Sequence, residues 1–296
     1  DVDDTQLDSA KVTISSGFTA GDTLILTDPG TLSSSVISDS VLSITGRADL
    51  SDYEEVLESI TYHSSSTDPT TNNTNNTREI TWEVTDADSD GAGAATSTAD
   101  AKSTIEIISL SDAPIVTTSG SSASYIENGT AAVIDNAITI SDVDDTQLDS
   151  AKVTISSGFT TGDTLTLSTQ NGISGTYDSS TGVLSISGTT SLSEYVTALQ
   201  SITYHSSSVD PTITAGSRTV TWEVTDANSD GVGAEASGGV VTSTINITPI
   251  NDAPVVSDAG GTLPYTENDP PKIIDNTITI GDDDDTHIEG GTVTIS

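Results

Sequence analysis

The sequence predicts an all-β protein, built as a tandem array of antiparallel β-sandwich domains that each carry one short helix. Three observations lead to this fold class. A stretch at the start of the chain returns unchanged near its middle, short segments alternate apolar and polar residues, and turn-forming residues separate those segments. Alternation with period two is typical of half-buried strands. Many short strands divided by turns favour a sandwich.

The internal repeat defines the domain organisation. The letters DVDDTQLDSAKVTISSGFT occupy residues 1–19 and return at 142–160, and a diverged version, DDDDTHIEGGTVTIS, covers 282–296. A period of this kind indicates an array of similar domains. Aligned on the letters DAP, the chain divides into a repeat lacking its first strands, a complete repeat and the N-terminal part of a third: 1–112, 113–252 and 253–296. We therefore expect an excerpt from a longer protein.

Six segments of the complete repeat have the strand pattern. They are AITIS (137–141), KVTIS (152–156), TLTLS (164–168), VLSIS (183–187), TVTWEVTD (219–226) and STINIT (243–248). Val220, Trp222 and Val224 share one face of their strand, because side chains alternate along it. We therefore expect Trp222, and Trp82 at the same place in the first repeat, to lie in the core.

One segment of each repeat has helical spacing instead. In SLSEYVTALQSI (191–202) the apolar residues recur every three or four positions, and Ser191 with Glu194 fits a capping box. The same spacing occurs in the first repeat at Leu50, Tyr53, Leu57 and Ile60. The pattern predicts a short helix at one edge or end of each sandwich.

The charge of the chain excludes several functions. Forty-five acidic residues stand against seven basic ones, which gives a net charge of -38. This sign rules against nucleic acid and anionic membrane surfaces as partners, since both attract Lys and Arg. Without cysteine, neither disulfides nor thiolate metal sites are available. No apolar run has the length of a membrane span, so we expect no membrane insertion in this segment. A solvated, salt-tolerant surface is the alternative explanation of the acidity.

The acidic residues gather where strands begin or end. Asp142, Asp144 and Asp145 follow AITIS, Asp226 follows TWEV, Glu127 lies in SYIENGT, and Asp252 lies where two repeats join. Carboxylates so close together need a hard cation, and Ca²⁺ accepts six to eight oxygen ligands in a flexible geometry. Mg²⁺ fits less well, because it retains much of its water.

Two loops begin like a calcium-binding loop. TDADSDG (85–91) and TDANSDG (225–231) carry the D-x-[DN]-x-D-G letters. The candidate ligands there are Asp86, Asp88, Asp90, Asp226, Asn228 and Asp230. The twelfth position is Ser97 or Ser237, where a helix-loop-helix site has Glu, so that motif is excluded. Ordinary Asx turns are the alternative for these loops.

The order of these motifs resembles that of cadherin repeats. Glu-Asn-x-x-x-Ala is followed by D-x-D before a strand, T-D after a strand and N-D-A-P at the joint. More closely, it resembles the cadherin-like tandem repeats of giant secreted RTX adhesins of Gram-negative bacteria. The resemblance implies a cadherin-like or Ig-like Greek-key sandwich, a location outside the cell at a bacterial surface, and several Ca²⁺ ions, mainly at the joints between repeats.

Carried over by position, the resemblance implies a ligand set for each joint. The first joint would use Asp112, Asp142, Asp144 and Asp226; the second would use Glu127, Asn251, Asp252, Asp282 and Asp284. Asp1, Asp3 and Asp86 would line the far end of the first repeat. The chain departs from the cadherin pattern at Pro249 and Ser111 in the linkers, and it has no recognisable D-R-E motif. The number of ions at each joint therefore stays open.

Three classes of function can be compared. The first is a calcium-rigidified extender, or stalk, that makes contact with neighbouring repeats of the same chain and projects a distant adhesive region for surface attachment or biofilm formation. The second is a binding module, in which the repeats grip a glycan or self-associate homophilically. An enzyme is disfavoured, because paired carboxylates such as Asp142 and Asp144 would need a cleft to act on a glycoside. His63 and His205 are expected to be structural or surface residues.

Overall fold

The structure, a computed structural model, describes residues 5–88, 91, 93–97, 101–168, 170–229 and 231–295. The chain forms two compact units. Unit 1 comprises Asp1–Pro114, Ser141–Gln147 and Asp226–Ala236. Unit 2 comprises Ile115–Ile140, Leu148–Thr225 and Ser237–Ser296. No helix among the described residues is long and apolar enough to cross a lipid bilayer.

Seven strands and one helix precede residue 114. They are β1 (Gln6–Ser16), β2 (Asp22–Ile25), β3 (Ser33–Ser38), β4 (Val41–Asp49), α1 (Leu50–Glu58), β5 (Thr61–Ser64), β6 (Thr77–Asp86) and β7 (Ala101–Glu106). One sheet has the order β3-β4-β1-β6-β7, and β2 pairs with β5 in another. Val12 and Ile14 of the first sheet pack with Leu24 of the second in one apolar cluster. Burial between two sheets is what makes this half of the chain a sandwich.

A second series of elements spans residues 115–248. Its elements are β8 (Ile115–Thr117), β9 (Ser122–Ile126), β10 (Ala132–Val133), β11 (Thr139–Ser141), β12 (Gln147–Ser157), β13 (Asp163–Thr166), β14 (Ser174–Asp178), β15 (Val183–Ser191), α2 (Leu192–Gln200), β16 (Thr203–Ser206), β17 (Ser217–Asp226) and β18 (Val241–Thr248). Two short strands follow, β19 (Val255–Ser257) and β20 (Thr279–Gly281). All six segments predicted from the alternating pattern contain strands.

Two sheets enclose the core of unit 2. The larger has the order β14-β15-β12-β17-β18-β9, and the smaller has the order β10-β16-β13. Val153 and Trp222 from the larger sheet share one buried cluster with Leu165 and Tyr204 from the smaller. The predicted fold class, antiparallel β-sandwiches that each carry one short helix, is confirmed.

The pair of β18 and β9 departs from the antiparallel arrangement. β18 and β9 run parallel, with Thr248 opposite Ile126 and Thr244 opposite Ser122. A parallel pair cannot be joined by a hairpin and needs a long connection. Here the body of the repeat provides it, because β9 lies near its start and β18 at its end. In SASYI only Ala123 and Tyr125 alternate with polar residues, which is too short a pattern to stand out, so β9 was not predicted from the sequence.

Both helices predicted from the spacing of apolar residues are present, as α1 and α2. Tyr195, Ala198 and Leu199 of α2 are buried, and Ser191 caps its first turn by accepting the backbone N–H of Glu194 at 3.3 Å. In α1 the residue at the cap position is Asp49, whose side chain makes no capping hydrogen bond. The predicted capping interaction is therefore present in the second helix only.

The tryptophans occupy core-facing positions to different degrees. Trp222 is 2% exposed, and its indole N–H donates to Ser243 Oγ at 2.9 Å. Trp82 is only partly buried, although its indole makes the same bond to Ser103 at 3.0 Å. Ala101 lies opposite Trp82, where Val241 lies opposite Trp222. The smaller neighbour covers less of the ring.

Each sandwich also buries a complete ion pair that the sequence did not reveal. Arg78 Nε donates to Asp22 Oδ2 at 2.6 Å, and both side chains are 0% exposed. Tyr62 donates its hydroxyl to Asp22 Oδ1 at 2.6 Å. Arg218 and Asp163 repeat the pair at 2.6 Å, also at 0% exposure. Tyr204 donates to Asp163 Oδ1 at 2.7 Å.

Replacing Ser191 by Ala should destabilise the protein by about 1 kcal/mol, because the N–H of Glu194 loses its acceptor. Urea denaturation measures the change in free energy of unfolding. Asp49→Ala in the first helix is the matched control and should cost less than half as much, since no side-chain cap is lost. Equal costs for the two substitutions would contradict this assignment.

The pKa of Asp22 leads to a prediction about acid stability. Burial raises this pKa, but hydrogen bonds from Arg78 and Tyr62 outweigh burial and leave it below the ordinary value. The ionised carboxylate therefore stabilises the fold above the unfolded-state pKa of about 3.9, and this contribution is lost as the pH falls through the lower folded-state pKa. Tyr62→Phe should cost about 1 to 2 kcal/mol at neutral pH.

Because that cost depends on the charged carboxylate, it should shrink once Asp22 is protonated. Denaturation curves of the wild type and Tyr62→Phe, recorded in steps from pH 7 down to about pH 1.5, measure it. An unchanged difference across this range would show that the lost hydrogen bond does not act through Asp22.

Candidate metal centre

The acidic turn after β11 folds around one of its own carboxylates. Asp142 Oδ1 accepts the backbone N–H of Asp144 at 3.1 Å and that of Asp145 at 2.9 Å. These two bonds turn the chain sharply, so that the three Asp side chains converge. One oxygen from each lies within 4.8 Å of the others. The expected D-x-D pair, Asp142 and Asp144, is thus brought together, with Asp145 added.

The linker that precedes the repeat contacts this turn directly. The backbone N–H of Asp112 donates to Asp144 Oδ2 at 2.9 Å. At the second joint the backbone N–H of Asp252 donates to Asp284 Oδ2 in the same way. There Asp282 Oδ1 accepts the N–H groups of Asp284 at 3.0 Å and Asp285 at 2.8 Å. The two joints share one pattern of hydrogen bonds.

Burial leaves part of this charge without compensation. Asp144 is 2% exposed, and within the described part of the chain neither its Oδ1 nor the buried Oδ2 of Asp142 has a hydrogen-bond partner. Burial and the neighbouring Asp142 and Asp112 raise the pKa of Asp144 to about 7, against a lowering by the N–H of Asp112. A buried, unpaired acceptor is costly. These open oxygens are suited to a cation.

Asp226 approaches the same turn from the end of β17. It is 0% exposed, and its carboxylate accepts the N–H groups of Asn228 at 3.2 Å and Glu235 at 2.8 Å. Burial raises its pKa; the two N–H groups oppose this, and the charges of Asp145 and Asp142 add to it. The charges of Asp145 and Asp142 therefore act on Asp226 as well.

The two glycine-rich loops hold their own backbones with their acidic side chains. Asp86 Oδ1 accepts the N–H of Ala95 at 2.9 Å, and Asp88 Oδ1 accepts that of Gly93 at 2.6 Å. Asn228 closes the second loop in the same way onto Gly233 at 2.7 Å. Asp86 Oδ1 also accepts the N–H of Asp88, two residues on, at 3.3 Å, which matches the Asx-turn alternative. Four expected ligands lie outside the described residues: Asp1, Asp3, Asp90 and Asp230.

Glu127 provides a further open oxygen near the second joint. It follows β9, is 1% exposed, and accepts the N–H of Ile250 through Oε2 at 2.8 Å. Its buried Oε1 has no partner among the described residues. Ile250 also lines a cavity of about 350 Å³ together with Asn251, Asp284 and Asp210. Glu127, Asn251 and Asp284, which were all expected at this joint, therefore lie around Ile250 within unit 2.

Asp145 was among the clustered acids of the sequence but not among the ligands that the resemblance implies, and Asp68 and Asp210 were not predicted. Asp145 is 4% exposed and accepts both the N–H and the hydroxyl of Ser229. Asp68 lines a cavity of about 250 Å³ with Asp112 and Asp144. Asp210 lines the corresponding cavity at the second joint. The signal for the last two was the letters DPT at 68–70 and 210–212, which recur in both repeats.

Comparisons with known proteins give limited matches. No protein-family model matches the chain. A segment of 101 residues, 32% of the chain, is 40% identical to Halomucin of Haloquadratum walsbyi (strain DSM 16790 / HBSQ001). The chain spans about 1% of the length of that protein.

The similar solved structures are extracellular repeats of cadherins. Repeats EC21-23 of human CDH23 match 93% of the chain and 74% of that structure, with 16% identity and a TM-score of 0.32. Repeats EC3-6 of protocadherin gammaB7 match 90% of the chain and 48% of that structure, with 17% identity and a TM-score of 0.30.

Asp144→Asn should stabilise the metal-free protein at pH 8. The raised pKa means that the folded state disfavours the ionised carboxyl, so stability falls as the pH rises from about 4 to about 7 and stays low above it. A neutral amide still accepts from Asp112 and can donate to Asp142. We expect a gain of about 1 to 3 kcal/mol in chelator at pH 8, and none near pH 4.

The control removes the same charge at an exposed position. Asp39→Asn should change the free energy of unfolding by less than about 0.5 kcal/mol at either pH. If Asp144→Asn destabilises the metal-free protein at pH 8, the repulsion inferred at this turn is absent.

Proposed function

We propose that the chain is a run of extracellular, non-enzymatic adhesion or extender repeats whose joints bind Ca²⁺. More specifically, we propose that the repeats at residues 1–112, 113–252 and 253–296 belong to the stalk of a large RTX-type adhesin at a bacterial cell surface. The stalk holds a distant adhesive region away from the cell, for surface attachment or biofilm formation. The order of motifs along the sequence supports this assignment to an adhesin stalk.

One observation carries the calcium proposal. Asp142, Asp144 and Glu127 each bury a carboxylate oxygen that has no hydrogen-bond partner within the described residues. Their other oxygens are all occupied by backbone N–H groups, including those of Asp112 and Ile250. The side chains are therefore held in place while one oxygen of each remains open. Oxygen donors alone, without His or Cys, favour a hard cation.

A cation bound at the acidic turn supplies positive charge to the carboxylates of Asp142, Asp144 and Asp145. Two carboxylate oxygens about 4.8 Å apart repel each other by roughly 3 kcal/mol at an effective dielectric constant near 20. Asp112 N and Asp144 Oδ2 tie the linker to the turn, so repulsion within the turn strains the attachment of the linker. Removing that repulsion stiffens the joint. This coupling makes the stiffness of the chain depend on calcium.

The affinity expected for such a site points to the cell exterior. Extracellular calcium modules bind at about 10⁻⁴ to 10⁻³ M. The low calcium concentration of the cytosol leaves such sites empty, whereas millimolar calcium fills them. The repeats would then stiffen only after export.

The burial of Trp222 counts against the alternative function of glycan binding. A sugar site commonly uses an exposed aromatic ring, but Trp222 is 2% exposed and packs in the core. Homophilic contact between repeats stays a candidate for the adhesive role, and analytical ultracentrifugation with and without calcium tests it directly.

Calcium should bind with several ions per chain, raise the melting temperature and reduce motion at the joints. Isothermal calorimetry gives the stoichiometry, and small-angle scattering with and without chelator gives the change in chain dimensions. Mg²⁺ at the same concentration is the control and should produce a smaller shift. Scattering and melting curves that are identical with calcium and with chelator would refute the proposal.

A further inference from the structure

Each sandwich buries an arginine at a place where an apolar side chain would serve stability as well. Arg78 and Arg218 are both 0% exposed, and each is paired with one Asp. Burying two charges costs several kcal/mol per ion, and well-packed apolar replacements are often neutral or stabilising. A contribution to stability therefore does not by itself account for these pairs, and the other bonds of each guanidinium are informative.

Besides its Asp, each guanidinium donates mainly to one loop, and Arg78 Nη2 also donates to Thr19 Oγ1 at 3.1 Å. Arg218 Nη2 donates to the carbonyl of Pro211 at 2.6 Å, and Nη1 donates to that of Ala215 at 2.8 Å. Both carbonyls belong to the loop between β16 and β17. In the first repeat Arg78 donates to the carbonyls of Pro69 at 2.5 Å and Asn75 at 2.9 Å, in the loop between β5 and β6. One buried group thus holds both the middle and the C-terminal part of each loop.

The two loops differ in sequence, yet they are attached in the same way. The first carries the inserted letters TNNTNNT at 71–77, whereas the second has TITAGS at 212–217. The first also contains three consecutive residues with positive φ, Thr71, Asn72 and Asn73. Such a backbone is strained for residues with side chains and persists only where its surroundings fix it. The attachment to arginine is therefore independent of the loop's own conformation.

Each loop brings one carboxylate to a joint. Asp68 precedes Pro69 and lines the cavity that also borders Asp112 and Asp144. Asp144 presents to the joint a buried oxygen, Oδ1, that lacks a partner among the described residues. Asp210 precedes Pro211 and lines the cavity bordered by Asn251 and Asp284. In both repeats the residue after this Asp is the one whose carbonyl the arginine holds.

We propose that Arg78 and Arg218 are positioning residues of the calcium joints, each fixing the loop that presents Asp68 or Asp210 to the cation. This inference rests on the proposed calcium function. The buried Asp22 and Asp163 neutralise and orient the guanidinium groups, and the arginines transmit that order to the loop backbone. The rigid sandwich thereby determines where the loop carboxylate lies.

Arg78→Lys is the first test, carried out on the full chain. Lysine keeps the positive charge beside Asp22 but cannot reach both loop carbonyls, because it lacks the planar fork of donors. We expect calcium affinity at the first joint to fall about tenfold, the lower range for losing a group that orients metal ligands. The sites of the second joint should keep their affinity. Calorimetry on the same sample compares the two joints.

Tyr62→Phe is the matched control. It removes a hydrogen bond from the same Asp22 carboxylate but does not contact the loop. Calcium affinity in this variant should change by less than about twofold, a change of roughly 0.4 kcal/mol. A loss as large as that of Arg78→Lys would show that the arginine acts only through general stability, and would overturn the inference. Wild-type affinity in Arg78→Lys would overturn it as well.

A double-mutant cycle separates the loop from other routes. If Arg78 acts through Asp68, then adding Arg78→Lys to Asp68→Asn should cause no further loss of calcium affinity. Independent, additive losses would contradict the inference. Should Arg78→Lys fail to fold, Pro69→Gly replaces it in the cycle. That substitution keeps the ion pair and loosens the loop backbone.

Hydrogen exchange distinguishes failure of this inference from failure of the proposed function. In chelator, Arg78→Lys should speed amide exchange in residues 65–76, while β6 and α1 exchange as in the wild type. A wild-type chain that takes up no calcium would overturn the proposed function and the role of Asp68. The positioning of the loop by Arg78 would then be judged by exchange alone, and unchanged protection of residues 65–76 would refute it.

Discussion

The arrangement of the first joint depends on the crowding of carboxylates in a turn that is largely withdrawn from water. Asp142, Asp144 and Asp145 converge because the turn folds back on the Asp142 side chain. Backbone N–H groups neutralise part of the resulting charge, and the most important of them, that of Asp112, comes from the linker. The same contact therefore joins the linker to the turn and leaves the remaining oxygens of the turn open. The contact between Asp112 and Asp144 therefore affects both the position of the linker and the charge that remains at the turn.

Comparison of the two joints and the two sandwiches shows which features are shared and which vary. The second joint has Asp283 where the first has Val143, yet Asp252 and Asp284 make the same contact as Asp112 and Asp144. The buried ion pairs are likewise the same in both sandwiches, although the loops they hold differ in length. What is shared is a set of backbone hydrogen bonds to charged side chains. Such bonds tolerate changes at neighbouring positions, because they use peptide groups that every residue provides.

Much of the fold could be predicted from local pattern. Strands with strict alternation, such as β12 and β17, and the helix with buried Tyr195 were predicted from the sequence. The parallel strand β9 and the short strand β14 were not, because SASYI and SGTYD contain too few alternating apolar residues to stand out. Their place is decided by the neighbouring strands, β18 and β15, which offer them hydrogen bonds. Among the site residues, Asp142 and Asp144 were predicted to lie together, and their carboxylate oxygens converge with one of Asp145 in unit 1.

By itself the sequence determined the repeat, the acidic character, the class of fold and the turns where acids gather, since each is a property of residues near one another in the chain. Tertiary structure alone decided which carboxylate oxygens lose water and remain open, and that Arg78 and Arg218 are buried against acids more than fifty positions away. The reason is physical. Desolvation and pairing depend on what surrounds an atom in space, and residues distant in sequence, such as Asp112 and Asp144, supply those surroundings.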